Sequence, residues 1–147
     1  MEKYLALDLG EKRIGIALTD GLKIAAHPHQ VIPRKSRRED FETIKNIAQE
    51  NDVVLIVVGL PKLMSGEEGE MAKWARSYGE DLSEKISISV KFWDETLTSE
   101  MAAASMAAQG YSRKKMKGKL DAVAAALILQ SYLEAEREND LDILDTL

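Results

Sequence analysis

The run DVVLIVVGLP, residues 52–61, limits the possible folds more than any other stretch of the chain. Six consecutive aliphatic residues, Val53 to Val58, closed by Gly59 and Pro61, predict a strand buried on both faces. A strand of that kind lies inside a sheet with helices packed above and below it, and the flanking segments supply them. Phe41, Ile44, Ile47 and Ala48 recur at helical spacing and predict an amphipathic helix from Ser36 to about Asn51. A loop carrying Gly66 and Gly69 leads to a second helix over roughly residues 70–85. The segment ISISVKFWD, residues 86–94, alternates strictly and predicts another strand. An alanine-rich helix follows, from Thr98 as N-cap to Gly110 as C-terminal stop. The last helix spans about residues 120–137, with Leu120, Val123, Ala124, Leu127, Ile128 and Ser131 on one face.

The N-terminal third has a different rhythm. Residues 3–9 and 13–19 are apolar and predict an antiparallel hairpin around Glu11, Lys12 and Arg13, with Gly10 and Gly15 relieving steric limits. Residues 23–33 form a weaker third strand, which Pro28 and Pro33 confine to an edge or a short run. The order β-β-β-α-β-α-β-α-α implies an α/β fold, a mixed five-stranded sheet flanked by helices on both faces. Ligands of such sheets bind beyond the carboxyl ends of the parallel strands. Asp8, Gly59–Pro61 and Asp94–Glu95 end three of those strands, so parallel strands would bring all three features to one crevice.

Composition narrows the chemistry. At 147 residues the chain has the size of one domain, and it has no internal repeat. Without cysteine there are no disulfides and no thiolate metal sites, which fits a reducing, cytoplasmic setting. No apolar run is long enough to predict a membrane span. His27 and His29 are too few and too close for a multi-histidine centre, so a metal would be held by carboxylates, which favours Mg²⁺ or Mn²⁺ over zinc.

The net charge of −5 hides two basic segments. One holds Arg34, Lys35, Arg37 and Arg38; the other holds Arg113, Lys114, Lys115, Lys117 and Lys119, nine of the twenty basic residues between them. Each alone reads as a solvated surface; two on an acidic protein point to a polyanion such as nucleic acid. Arg13, in the first hairpin, joins them as a candidate contact. The stretch from Glu134 onward carries six acids against Arg137.

The carboxylates allow two readings each. Asp8 fits an Asx turn with Gly10, and Asp94, Glu95 and Asp121 fit helix-dipole positions at the starts of helices. Together, Asp8, an acid of the 94–95 pair and Asp121 form a set able to hold two divalent ions about 4 Å apart and to attack a phosphodiester. Ala122, Ala124, Ala125 and Ala126 thin the start of the last helix, letting its backbone approach the sheet. Two other classes compete. DLGEKRIG resembles the first phosphate loop of sugar kinases and actin-like ATPases, which need far more chain; GLPKLMSGEEGE lacks the GK[ST] of a P-loop. A binding module with purely structural acids remains the third reading.

Four segments in this order resemble the YqgF (RuvX-like) family of ribonuclease H-like proteins: LDLGEKRIGIALTD at 7–20, VVGLPKLMSGEEGE at 57–70, WDETLTS at 93–99 and SRKKMKGKLDAVAAALILQSYLE at 112–134. Members of that family are described as candidate Holliday junction resolvases or as pre-16S rRNA processing nucleases. The resemblance implies a ribonuclease H-like nuclease domain over residues 1–138 with an acidic C-terminal tail at 139–147. It implies that Asp8, Glu95 and Asp121 are the catalytic, metal-binding carboxylates, for Mg²⁺ or Mn²⁺. It further implies a nucleic-acid partner, structured RNA or else branched DNA, and a monomer or weak homodimer. Thr96 stands where members commonly carry arginine, so a phosphate contact or salt bridge there is lost. Strand alternation puts Asp94 and Glu95 on opposite faces without saying which points inward.

Overall fold

The computed structural model describes residues 1–61, 63, 65–95, 104, 108, 110 and 118–145. The strands are β1 (Lys3–Leu9), β2 (Arg13–Thr19), β3 (Ala26–Pro33), β4 (Val53–Pro61) and β5 (Ser89–Glu95). The helices that the structure bounds are α1 (Arg37–Glu50), α2 (Glu70–Lys85) and α3 (Leu120–Asp145). The sheet order is β3-β2-β1-β4-β5. β1 pairs antiparallel with β2 and parallel with β4; β2 and β3 are antiparallel, and β4 and β5 are parallel. The expected mixed five-stranded sheet is therefore present, with β3 at one edge and the aliphatic run of β4 inside.

Period-2 alternation divides β1 between two cores. Leu5, Leu7 and Leu9 face α1 and α2, packing with Ile14, Ile16, Phe41, Ile44, Tyr78 and Leu82. Ala6 faces α3, with Ala17, Val57, Ala125, Ile128, Leu129 and Tyr132. The first face is filled by large side chains; the second is lined by small ones, so α3 lies closer to the sheet. Ser36 caps α1 by accepting from Glu39 N–H at 3.2 Å. Asp40 in its first turn is buried and accepts from Lys35 N–H at 2.9 Å and from the Tyr78 hydroxyl at 3.0 Å, which ties the basic segment 34–38 to α2. That carboxylate, together with burial, holds the Tyr78 hydroxyl well above its usual pKa, burial being the larger cause.

Two elements differ from the sequence expectation. β5 begins at Ser89, because Ile86 still closes α2 through its N–H to the Leu82 carbonyl. α3 continues to Asp145 rather than stopping near residue 137, since neither glycine nor proline interrupts residues 134–145. Of the expected helix from Thr98 to Gly110 the structure describes only residues 104, 108 and 110, and Thr96 and the basic residues Arg113, Lys114, Lys115 and Lys117 lie outside the described residues.

Two glycines set the distance between layers at the carboxyl end of the sheet. A Cβ on Gly15 would stand 1.9 Å from the Asp121 carbonyl oxygen, so the first turn of α3 rests directly on β2. A Cβ on Gly59 would meet Ile128 Cδ1 at 2.7 Å and Glu95 Oε2 at 3.2 Å. The first obstacle is backbone and cannot yield; the second is the flexible end of a side chain. Gly15→Ala is therefore expected to cost about 3 kcal/mol or more, and Gly59→Ala roughly 1–2 kcal/mol, in urea unfolding followed by circular dichroism.

Candidate active site

Every chain direction in the fold converges on one end of the sheet. β1, β4 and β5 finish there, as does β3, and β2 starts there. α1, α2 and α3 each begin at that end, so their N-terminal partial positive charges face the same region. Asp8, Glu95, Asp121, Arg13 and the 34–38 segment all lie there.

Asp8 sits opposite Gly15 in the β1–β2 register, on the face that carries α3. Because Gly15 admits the α3 backbone, Asp121 arrives beside Asp8, close enough for its charge to act on it. On the other side of Asp8 lies the end of β4, where Leu7 pairs with Val58 and Gly59 follows. Gly59 has no side chain to obstruct Glu95, whose carboxyl reaches over β4 from β5 and is hydrogen-bonded to Asp8. Glu95 is thus the inward member of its pair, half-buried, whereas Asp94 is exposed on the opposite face.

Burial, and then the charge of Asp121, pushes the Asp8 carboxyl up to about 6, although the hydrogen bond with Glu95 partly opposes this. Burial, followed by the Asp8 charge and the hydrogen bond to Asp8, pushes Glu95 up to about 8. The pair holds one proton between them near neutral pH, because two adjacent buried carboxylates cannot both ionise cheaply. Asp121 accepts from Arg13 Nε at 2.9 Å, with side chains 35% and 63% exposed respectively. An ion pair that open to water is worth at most about 1 kcal/mol, so Arg13 is released at little cost.

As they stand, no three acid or histidine side chains among the described residues surround a single point. The donors nevertheless suit a hard divalent cation: all are carboxylate oxygens, and burial beside one another disfavours the charged form of both Asp8 and Glu95, a penalty that a cation would offset.

The basic segment is less free than its sequence implies. Arg34 bonds the Gly10 carbonyl at 3.0 Å and lies 4.3 Å over the Trp74 ring. Arg37 pairs with Asp81 at 3.4 Å and packs over Tyr78 at 5.4 Å. Lys35 and Arg38 are exposed. Arg34 therefore braces the β1–β2 turn under the site and Arg37 links α1 to α2, leaving Lys35 and Arg38 as the cations of this segment directed to solvent. Sequence reasoning missed these aromatic partners, since Trp74 lies 40 residues from Arg34 and only packing joins them.

By fold the protein is of the ribonuclease H-like class. Thermus thermophilus RuvC, solved with a Holliday junction substrate, superposes with a TM-score of 0.60 over 94% of this chain and 97% of that one, at 13% identity. The Fowlpox virus Holliday junction resolvase gives 0.56 over 90% and 97%, at 11% identity. A family model described as "RuvX: Holliday junction resolvase" matches residues 2–135, and the chain belongs to that family. Curated relatives from Anaeromyxobacter sp. (strain Fw109-5) and Halothermothrix orenii are each 39% identical, over 90% and 92% of this chain and 96% and 97% of their own. Both carry the name "Putative pre-16S rRNA nuclease".

The raised pair has a consequence for stability. Asp8 and Glu95 ionise less readily in the folded chain than in the unfolded one, so their contribution is complete below about pH 4 and is lost as pH climbs through 6 and 8. Glu95→Gln keeps a donor toward Asp8 without the second charge. In chelator-treated protein it is expected to melt above the parent at pH 8.5, by on the order of 1–3 kcal/mol or roughly 3–10 °C, and to lose that advantage by pH 5. Thermal melts across this range measure the difference.

Proposed function

We propose that the protein is a divalent-metal-dependent nuclease that hydrolyses phosphodiester bonds, acting in 5′-end processing of pre-16S rRNA. The observation that carries the reading is the meeting of Asp8 and Glu95, with Asp121 beside them, at the end of the sheet to which three helix N-termini point. The names of the curated relatives, which align over nine-tenths of the chain, favour a pre-16S rRNA substrate.

Asp8, Glu95 and Asp121 are the residues that would hold the metal. When bound, a divalent ion supplies Lewis acidity toward a phosphoryl oxygen and lowers the pKa of water. The remaining work belongs to the chain itself. Arg13, leaving Asp121, offers a guanidinium to a substrate phosphate, and the exposed Lys35 and Arg38 engage the backbone further along. A cation held by Asp8 and Glu95 would compete with the proton that their raised pKa values favour, so metal binding is expected to strengthen with pH between about 6 and 8.

The family description favours a second reading, a Holliday junction resolvase, which uses the same acids but needs a dimer engaging two strands symmetrically. The two separate on substrate. A 5′-extended 16S precursor is expected to be cut in Mn²⁺ or Mg²⁺ at least tenfold faster than a four-way DNA junction; the reverse order would favour the resolvase. Asp8→Asn and Glu95→Gln are each expected to lower the rate by ~100-fold or more, and an Asp8→Asn protein that cleaves as fast as the parent removes the mechanism.

A further inference from the structure

Beside the acids, β5 forms the second edge of the sheet, and its α3-facing side reads Glu95, Trp93, Lys91 at every second residue. Trp93 lies about 7 Å along the strand from Glu95, two residues on one face. Its ring is fixed. The indole Nε1 donates to Ser131 Oγ at 3.1 Å, and the ring meets Tyr132 edge-to-face with centroids 5.4 Å apart and planes at 89°. Tyr132 is buried and is itself set edge-on against Tyr4 at 6.1 Å. Lys91 continues the line, donating to the Tyr132 hydroxyl at 3.3 Å while remaining exposed. Trp93 is only partly covered, and a hollow of about 520 Å³ opens against it, walled by Lys91, Tyr132, Ala135, Glu136 and Asn139.

Trp93 packs against the α3-side core and is only partly covered by it. It is held rigid by two contacts and still borders open space, next to a catalytic candidate and in line with a lysine. Aromatic faces bind unpaired bases with little regard to sequence, and a neighbouring cation takes the adjoining phosphate. We propose that Trp93 is a stacking platform for an unpaired nucleobase one or two nucleotides from the bond that is cut, with Lys91 receiving the next phosphate. The base enters the hollow, where the exposed Asn139 meets its polar edge, while Glu136 is held at the wall by the Tyr4 hydroxyl, which donates to it at 3.2 Å. The site therefore selects substrates that are single-stranded beside the cleavage position, since bases in a continuous duplex have no free face to offer. This rests on the nuclease reading and adds to it a requirement on substrate form.

The chain contains two tryptophans, so Trp74→Phe leaves Trp93 as the sole indole reporter. In that protein, also carrying Asp8→Asn to prevent cleavage, titration with a dye-labelled 12-nucleotide single-stranded RNA is expected to quench the indole emission in step with the rise in dye anisotropy. Trp93→Leu is expected to weaken single-strand binding by roughly 5- to 100-fold, the worth of one stacked base, and to change binding of a blunt duplex of the same sequence by less than twofold. Trp93→Tyr is expected to restore most of the loss. Binding of the single strand with unquenched Trp93, or an equal loss for single strand and duplex in Trp93→Leu, overturns the stacking site and leaves the nuclease reading intact. A parent protein whose anisotropy rises with neither RNA overturns both.

Discussion

The site depends on what is missing from two positions. Gly15 and Gly59 flank Asp8 on its neighbouring strands, and each leaves room that a Cβ would fill. On the β2 side that room is taken by the backbone of α3, which sets Asp121 down beside Asp8. On the β4 side it is crossed by the Glu95 side chain coming from β5. Asp8 thus gains Asp121 as a neighbour through close approach of backbone and Glu95 through a side chain that only a glycine lets pass. The small residues Ala6, Ala17, Ala125 and Ala126 extend the same logic along α3, whereas the opposite core is built almost entirely from larger aliphatic and aromatic side chains.

This closeness has an electrostatic cost. Asp8 and Glu95 share a buried, low-dielectric corner, and the guanidinium of Arg13 is engaged by Asp121. A site of this form is a poor contributor to stability at neutral pH and a good acceptor of positive charge. Structural ion pairs in the same protein are arranged otherwise: Arg76 meets Glu68 at 2.7 Å and lies over the Phe92 ring, and buried Asp40 is satisfied by a hydroxyl and a backbone N–H. The contrast separates acids that hold the fold together from acids that strain it.

Cationic residues divide in a similar way. Of the segment 34–38, Arg34 and Arg37 are spent on Trp74, Tyr78 and Asp81, and Lys35 and Arg38 face solvent. A run that sequence reads as one basic patch is half scaffold, holding α1 and the β1–β2 turn in place beneath the acids.

Much of this was legible in the sequence. The aliphatic run of β4 and the helical spacing around it required an α/β sheet, because only helices on both faces cover such a strand. Asp8 stood out as a charge in an apolar strand, and the alanines after Asp121 announced a close helix. What the sequence could not decide was register. Pairing Asp8 with Gly15 depends on the geometry of the turn closed by Gly10 N–H to the Arg13 carbonyl, and a slip of one residue would turn Asp8 to the other face. The choice of Glu95 over Asp94, the crossing over Gly59, and the partners of Arg34 and Trp93 all follow from that register and from packing between residues tens of positions apart. Local sequence carries periodicity and composition; which face each residue takes, and what meets it there, is settled only when the layers close.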